Sequence, residues 1–216
     1  MTVVYEDKDI VVCIKPDGML SQSDDKGSES AVSYLKEKLQ CDIFPVHRLD
    51  RTTFGLMVFA KNSASAAALT QQIAEHKFTK RYVTVVHGAP EASSARLEDL
   101  MFFDRTKNKA FVSKKMRAGV KKAVLDFRVT QSGMIDGEAV SRLEVSLLTG
   151  RTHQIRLQFA SRGMPLLGDN RYGAKDRFKR IALCAYCLGF CHPETHQKLE
   201  FTLDEATLET WLEYFK

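Results

Sequence analysis

No apolar run in this sequence approaches the ~18 residues that a membrane span requires. The amino terminus, Met1-Thr2-Val3-Val4-Tyr5-Glu6-Asp7, also has no basic segment followed by an apolar one. A secreted or membrane-spanning protein is therefore not expected, and the cytoplasm is the expected compartment. Cysteine is sparse and odd in number, five in 216 residues, which argues for reduced thiols over a disulfide framework. A second Cys-x-x-Cys pair is missing as well. Cys184-x-x-Cys187-x-x-x-Cys191-His192 stands alone, in an alternating run (Ala182, Cys184, Tyr186, Leu188, Phe190) that reads as strand. On a strand Cys184 and Cys187 face opposite sides, and Cys187 and Cys191 lie ~13 Å apart. The set cannot share one zinc ion unless Gly189 opens a knuckle, so no metal is expected. Nothing reads as a linker, and a chain with 44% hydrophobic and 27% charged residues is expected to form one globular domain over 1–216.

What the chain does have is charge placed unevenly. The net charge is only +5, yet between Asp104 and Lys122 eight basic residues (Arg105, Lys107, Lys109, Lys114, Lys115, Arg117, Lys121, Lys122) stand against one acid, a local +7. From Glu194 to Lys216, six acids stand against Lys198 and Lys216, a local −4. Such segregation suits one face for a polyanion and another for solvent. A solvated lysine-rich loop accounts for the basic run equally well. On the first reading, 104–122 is a hairpin-like arm and Lys114, Lys115 and Arg117 contact phosphate.

Hydrophobic periodicity sets the elements. Val3 to Tyr5 and Ile10 to Ile14 read as a β-hairpin, after which Lys15-Pro16-Asp17-Gly18 must leave the sheet. Ser28 can cap a helix to about Gln40 with Val32, Leu35 and Leu39 on one face. Asn62 or Ser63 can start a second helix to about His76, with Ala64, Ala68, Leu69 and Ile73 inward. Strands are expected over 80–88, 123–129 and 141–148, then a helix from a Thr152 cap to about Arg162, stopped by Gly163. Leu199, Phe201 and Leu203 alternate on a last strand, and Asp204 can cap a terminal helix with Leu208, Trp211, Leu212 and Phe215 inward.

Between the first two helices lies the stretch from Val46 to Lys61. Asp50 sits between Arg48 and Arg51, and Gly55 leads into an apolar run, Leu56 to Ala60, of buried-strand length. Asp50 is thus expected on a loop braced by the core. A nearby arginine lowers a carboxyl pKa by ~1–3 units, and an ionised, oriented Asp can act as nucleophile or base without a metal. A structural ion pair at a turn is the plain alternative. The longer pattern, His-Arg-Leu-Asp-x-x-Thr-x-Gly-Leu followed by an apolar strand and Ala-Lys, resembles the signature of the RluA-like family of RNA pseudouridine synthases, in which the Asp is catalytic. Where that family usually has a small residue, most often Ser, this chain has Phe54, so the resemblance is safer for reaction type than for substrate.

Three further family elements follow in order. Lys15-Pro16-Asp17-Gly18 matches a Lys-Pro-x-Gly element that supports the active-site loop. Lys80-Arg81-Tyr82 matches a Lys-x-Tyr whose ring stacks on the target base. Leu148 with Gly150-Arg151-Thr152-His153-Gln154-Ile155-Arg156 matches Leu-x-Gly-Arg-x-His-Gln-Ile-Arg, whose first arginine pairs with the catalytic Asp. Gly168 to Gly173 matches another recurrent segment, and its Asp169, the rival carboxylate, reads as an Asx-type turn.

The resemblance spans about Tyr5 to Phe215. It implies an α+β fold with a long, mostly antiparallel mixed sheet flanked by helices, the pseudouridine synthase catalytic fold, with an RNA cleft across its middle; the S4 RNA-binding module that many relatives carry is not expected here. By the same resemblance the catalytic set is Asp50, Tyr82 and Arg151, and Arg48 takes the space that a flipped base vacates. Arg156 either meets backbone phosphate or is structural. The expected partner is ribosomal or transfer RNA, with no cofactor, no obligatory protein partner and a monomeric state. Two other classes stay open: a non-catalytic RNA-binding module, and a glycosidic hydrolase using Asp50 and Asp169.

Overall fold

The computed structural model describes residues 1–25 and 27–216. By chain contacts it divides into two compact units, Met1–Lys80 with Cys184–Asp204, and Arg81–Leu183 with Glu205–Lys216.

The first unit holds β1 (Thr2–Glu6), β2 (Ile10–Lys15), α1 (Ala31–Leu39), β3 (Phe44–Pro45), β4 (Phe54–Ala60) and α2 (Ser63–Ala74). The second unit opens with β5 (Thr79–His87), β6 (Ser94–Asp104), β7 (Lys109–Ser113), β8 (Lys121–Ile135), β9 (Glu138–Leu147) and α3 (Gln154–Ala160). The chain then returns to the first with β10 (Leu183–Cys191) and β11 (Lys198–Thr202), and ends in the second with α4 (Glu205–Glu213).

In the first unit β4 is the buried strand. It pairs antiparallel with β2 and parallel with β10, and β11 runs antiparallel on β10. The parallel pairing is what makes the sheet mixed. Ile10, Val11, Val12 and Cys13 on β2 and Met57, Val58, Phe59 and Ala60 on β4 are fully buried. Each of the larger ones, Ile10, Val11, Val12, Met57, Val58 and Phe59, contributes roughly 1.5–3 kcal/mol, which makes this the stiff part of the unit. The expected hairpin is the β1–β2 pair. The first helix is capped two residues later than expected: Ser30, not Ser28, accepts from the Ser33 amide, and Ser33 returns the bond in a capping box. Asn62 caps α2 as expected, but Ala64 is exposed, and Ser65 and Leu69 are the residues turned inward.

In the second unit the strand order is β5-β9-β8-β6-β7, antiparallel throughout. Buried Met101, Ala110 and Ala123 pack under α3 with Leu157 and Tyr172. Helix α3 is shorter than expected. His153 occupies its cap position in a left-handed conformation, φ 57°, and no side chain caps it, so Thr152 is not the cap. The alternation read on 123–129 and 141–148 holds, with Leu125, Phe127, Leu143 and Val145 buried. The fold is α+β, and no helix among the described residues is long and apolar enough to cross a membrane.

Candidate active site

Asp50 lies on the loop between β3 and β4, half-buried, with its carbonyl accepting from the Thr53 amide at 3.0 Å. Both of its neighbours in sequence are pinned. On one side, the buried Ser21 hydroxyl donates to the Leu49 carbonyl at 2.7 Å and accepts from the Leu49 amide at 3.0 Å. On the other, the Gly18 amide donates to the Arg51 carbonyl at 2.8 Å, and Arg51 Nε donates to the Gly18 carbonyl at 2.7 Å.

Lys15 completes the clamp. It is fully buried, and its Nζ donates to the carbonyls of Pro16 (2.8 Å), Met19 (2.9 Å) and Arg51 (3.2 Å). Burial pulls the ammonium down to about 8, against the upward pull of the Asp17 and Asp50 carboxylates. An ammonium with three donors satisfies three carbonyls that a hydrophobe could not. The loop is therefore held by the segment after β2.

The strand behind the loop is fixed by close approach. Gly55 has φ +127°, and a Cβ there would lie 2.3 Å from the Ala185 carbonyl oxygen on β10, so only glycine fits. His47 Nε2 accepts from the Val58 amide at 3.1 Å. Burial, with a smaller contribution from the Lys80 charge, takes that imidazole down to about 3 and keeps it neutral. Arg48 is exposed on the same loop.

In the second unit Tyr82 sits on β5 opposite Val145 of β9 and is 7% exposed. Arg151 lies in the turn after β9, and that turn is built around one buried amide. Gln154 Oε1 accepts from the Arg151 amide (3.0 Å) and from Thr149 Oγ1 (2.8 Å), while its Nε2 donates to the Val124 carbonyl (3.1 Å). Arg151 Nε donates to the Lys122 carbonyl at 3.0 Å, which orients the half-buried guanidinium.

Arg156, left open between phosphate and structure, is structural. It is 4% exposed, and Nε and one terminal nitrogen donate to Asp169 at 2.7 and 2.8 Å while the guanidinium stacks 5.0 Å from the Tyr172 ring. The phosphate assignment of Arg156 is corrected accordingly. Asp169 is fully buried in this bidentate pair and not in an Asx-type turn, so no nucleotide can reach it. The hydrolase reading loses its second carboxylate.

The family model for RNA pseudouridylate synthases matches residues 9–161. The chain belongs to that family. Among its relatives, the dual-specificity RNA pseudouridine synthase RluA of Vibrio vulnificus is 34% identical across 90% of this chain and 79% of its own length. The tRNA pseudouridine synthase C of Haemophilus ducreyi is 29% identical across 92% and 88%. The ribosomal large subunit pseudouridine synthase C of Buchnera aphidicola is 29% identical, and the chain spans only 65% of its length. The RluA-like branch expected from the motifs is the one these relatives support. The solved structure of human RNA pseudouridylate synthase domain containing 1 superposes with a TM-score of 0.81 at 24% identity, over 99% of this chain and 86% of that one. The fold is the pseudouridine synthase catalytic fold.

Within this family fold, two residues position the site without having been singled out by the sequence for that role. Ser21 follows the Lys-Pro-x-Gly element in an irregular segment and carries no motif signal, while Gln154 falls within the Gly-Arg-x-His-Gln-Ile-Arg motif but reads there only as a helix residue. One further cluster has metal-ligating types. Asp7, Asp9 and His192 bring ligand atoms within 4.8 Å of one another. His192 Nδ1, however, accepts from the Glu194 and Thr195 amides (3.2 and 3.1 Å), so the ring proton sits on Nε2 and is donated to Asp7 at 2.9 Å. The nitrogen a metal would need is protonated. Burial alone would raise Asp7, but hydrogen bonds from Tyr5, the Ile10 and Asp9 amides and His192 take it down to about 2, as expected for a hydrogen-bonded strap closing the β1–β2 turn.

Proposed function

We propose that the protein is an RNA pseudouridine synthase that isomerises specific uridines of ribosomal or transfer RNA, with residues 1–216 acting as one catalytic domain. The observation that carries this reading is the doubly pinned loop around Asp50: a carboxylate held by its neighbours' backbone while staying half-exposed. A structural ion pair needs no such clamp; a reacting carboxylate does, because its position must hold to a few tenths of an ångström through the reaction.

The chemistry conserves every atom. The N1–C1′ bond breaks, the uracil turns, C5 joins C1′, and the proton lost from C5 is made good at N1. No cofactor is called for. The uridine is flipped from its stack at a cost of a few kcal/mol, lowest in an unpaired loop. In this reading Asp50 either attacks C1′ or removes the C2′ proton, Tyr82 stacks on the base, Arg151 is the catalytic arginine, and Arg48 fills the space the base leaves. Lys114, Lys115 and Arg117, all exposed in the loop between β7 and β8, meet backbone phosphate. The protein acts as a monomer in the cytoplasm without an obligatory protein partner.

Incubation with total cellular RNA, followed by mapping of pseudouridine, tests this with Asp50→Asn alongside. Product from the wild type, and a loss of ~100-fold or more in the variant with RNA binding retained, supports it. Release of free uracil would point to a hydrolase, and RNA binding without modification by either protein would point to a binding module.

A further inference from the structure

The two faces of an antiparallel hairpin ordinarily divide into packed and solvated. On β6 and β7 the packed face carries Met101 and Ala110, buried under α3. The opposite face should be polar. It carries instead Phe102 and Phe111, which stand directly across from each other in register. Their rings stack with centroids 5.6 Å apart and planes at 23°, and both remain half-buried.

Cations surround this pair. Arg117 Cζ lies 5.3 Å from the Phe102 ring centroid, and Lys107 Nζ and Lys109 Nζ lie 5.6 and 6.0 Å from that of Phe111. By alternation, the acids of β6 sharing this face are Glu98 and Asp104. Glu98 is paired with Lys122, and Asp104 accepts from the Thr106 hydroxyl and the Thr106 and Lys107 amides. The surface thus combines π-faces and positive charge, with its negative charge already engaged.

We propose that Phe102 and Phe111 form a stacking platform for unpaired nucleotides of the RNA substrate, outside the catalytic loop. The proposal rests on the RNA-modifying reading above and deepens it. A single strand offers phosphates and free base faces together, so Arg117, Lys107 and Lys109 pass from the rings to phosphate as bases take the rings. A duplex keeps its bases stacked inside and offers phosphates alone. The aromatic pair therefore adds selectivity for unpaired RNA that the lysines cannot provide.

The test measures binding of a fluorescein-labelled oligouridylate, and of its duplex with oligoadenylate, across a salt series. Phe102→Leu with Phe111→Leu should weaken the single strand by roughly 5- to 150-fold, the range for one stacked base. The slope of log K against log salt should stay unchanged, because no charge is lost. Duplex affinity should hold, and Phe102→Tyr with Phe111→Tyr should restore the wild-type value. Equal affinity in the leucine variant, or equal loss for the duplex, would overturn the platform while leaving the RNA-modifying reading intact. Failure of the wild type to bind either RNA would overturn both. A second measurement needs no variant: photo-cross-linking of the wild type to an oligonucleotide carrying 4-thiouridine. Adducts within 100–113 support the platform, and adducts confined to other segments refute it.

Discussion

Replacing Lys15 with methionine removes the three-donor clamp while keeping the length and apolar stem of the side chain. Hydrogen bonds from a charged donor contribute ~1.5–3 kcal/mol each, so three are worth roughly 5–9 kcal/mol before offsets. Against this stands the cost of burying the ammonium. A fall from the ordinary 10.5 to about 8 corresponds to ~3.4 kcal/mol at ~1.36 kcal/mol per unit. Lys15→Met should therefore lose a net ~2–5 kcal/mol in urea unfolding at neutral pH. The pH dependence has a definite sign. The folded state holds the proton less tightly than the unfolded one, so between about pH 8 and 10.5 the unfolded chain binds more protons and this group makes stability rise with pH. The rise amounts to ~3.4 kcal/mol across that interval. The gap between wild type and Lys15→Met should accordingly widen across that interval. Because the clamp acts on the backbone beside Asp50, turnover should fall more than RNA affinity. A variant as stable as the wild type would refute the assignment of Lys15 as a clamp, and a gap that narrows as pH rises would refute the lowered affinity of its ammonium for the proton.

Arg156→Ala should destabilise the protein by ~3–5 kcal/mol, because it leaves the fully buried Asp169 carboxylate without its bidentate partner. Chemical denaturation reads this directly; unchanged stability with RNA binding lost would return Arg156 to the phosphate-contact role. If the basic loop meets about five phosphates of single-stranded RNA, log K should fall with log salt at a slope near ~−3.5, and Lys114→Ala, Lys115→Ala and Arg117→Ala together should flatten it. A slope that does not change places the RNA elsewhere on the surface.

Much of the site was legible because its signals are local. The glycine at 55, the arginine–aspartate pattern around Asp50, and the Gly-Arg before α3 are set by spacing within a few residues, and so they resemble a family pattern without any knowledge of packing. Most of the strands follow likewise from alternation, though β3 and β6 were not read from it. Reading failed where a side chain had two local uses. Thr152 looks like a helix cap, but Gln154 takes over the Arg151 amide and the Thr149 hydroxyl of that turn. Asp169 looks like a turn residue, but thirteen positions upstream Arg156 claims its carboxylate.

The sequence by itself pointed to the reaction class, to most of the strands and helices though not to β6, and to the carboxylate that stands at the head of the buried strand β4. Tertiary structure alone decided how that carboxylate is held. Ser21 reaches Leu49 across 28 positions and Lys15 reaches Arg51 across 36. Hydrogen bonds at such separations depend on where the chain returns in space, a quantity that neither residue's own neighbourhood encodes.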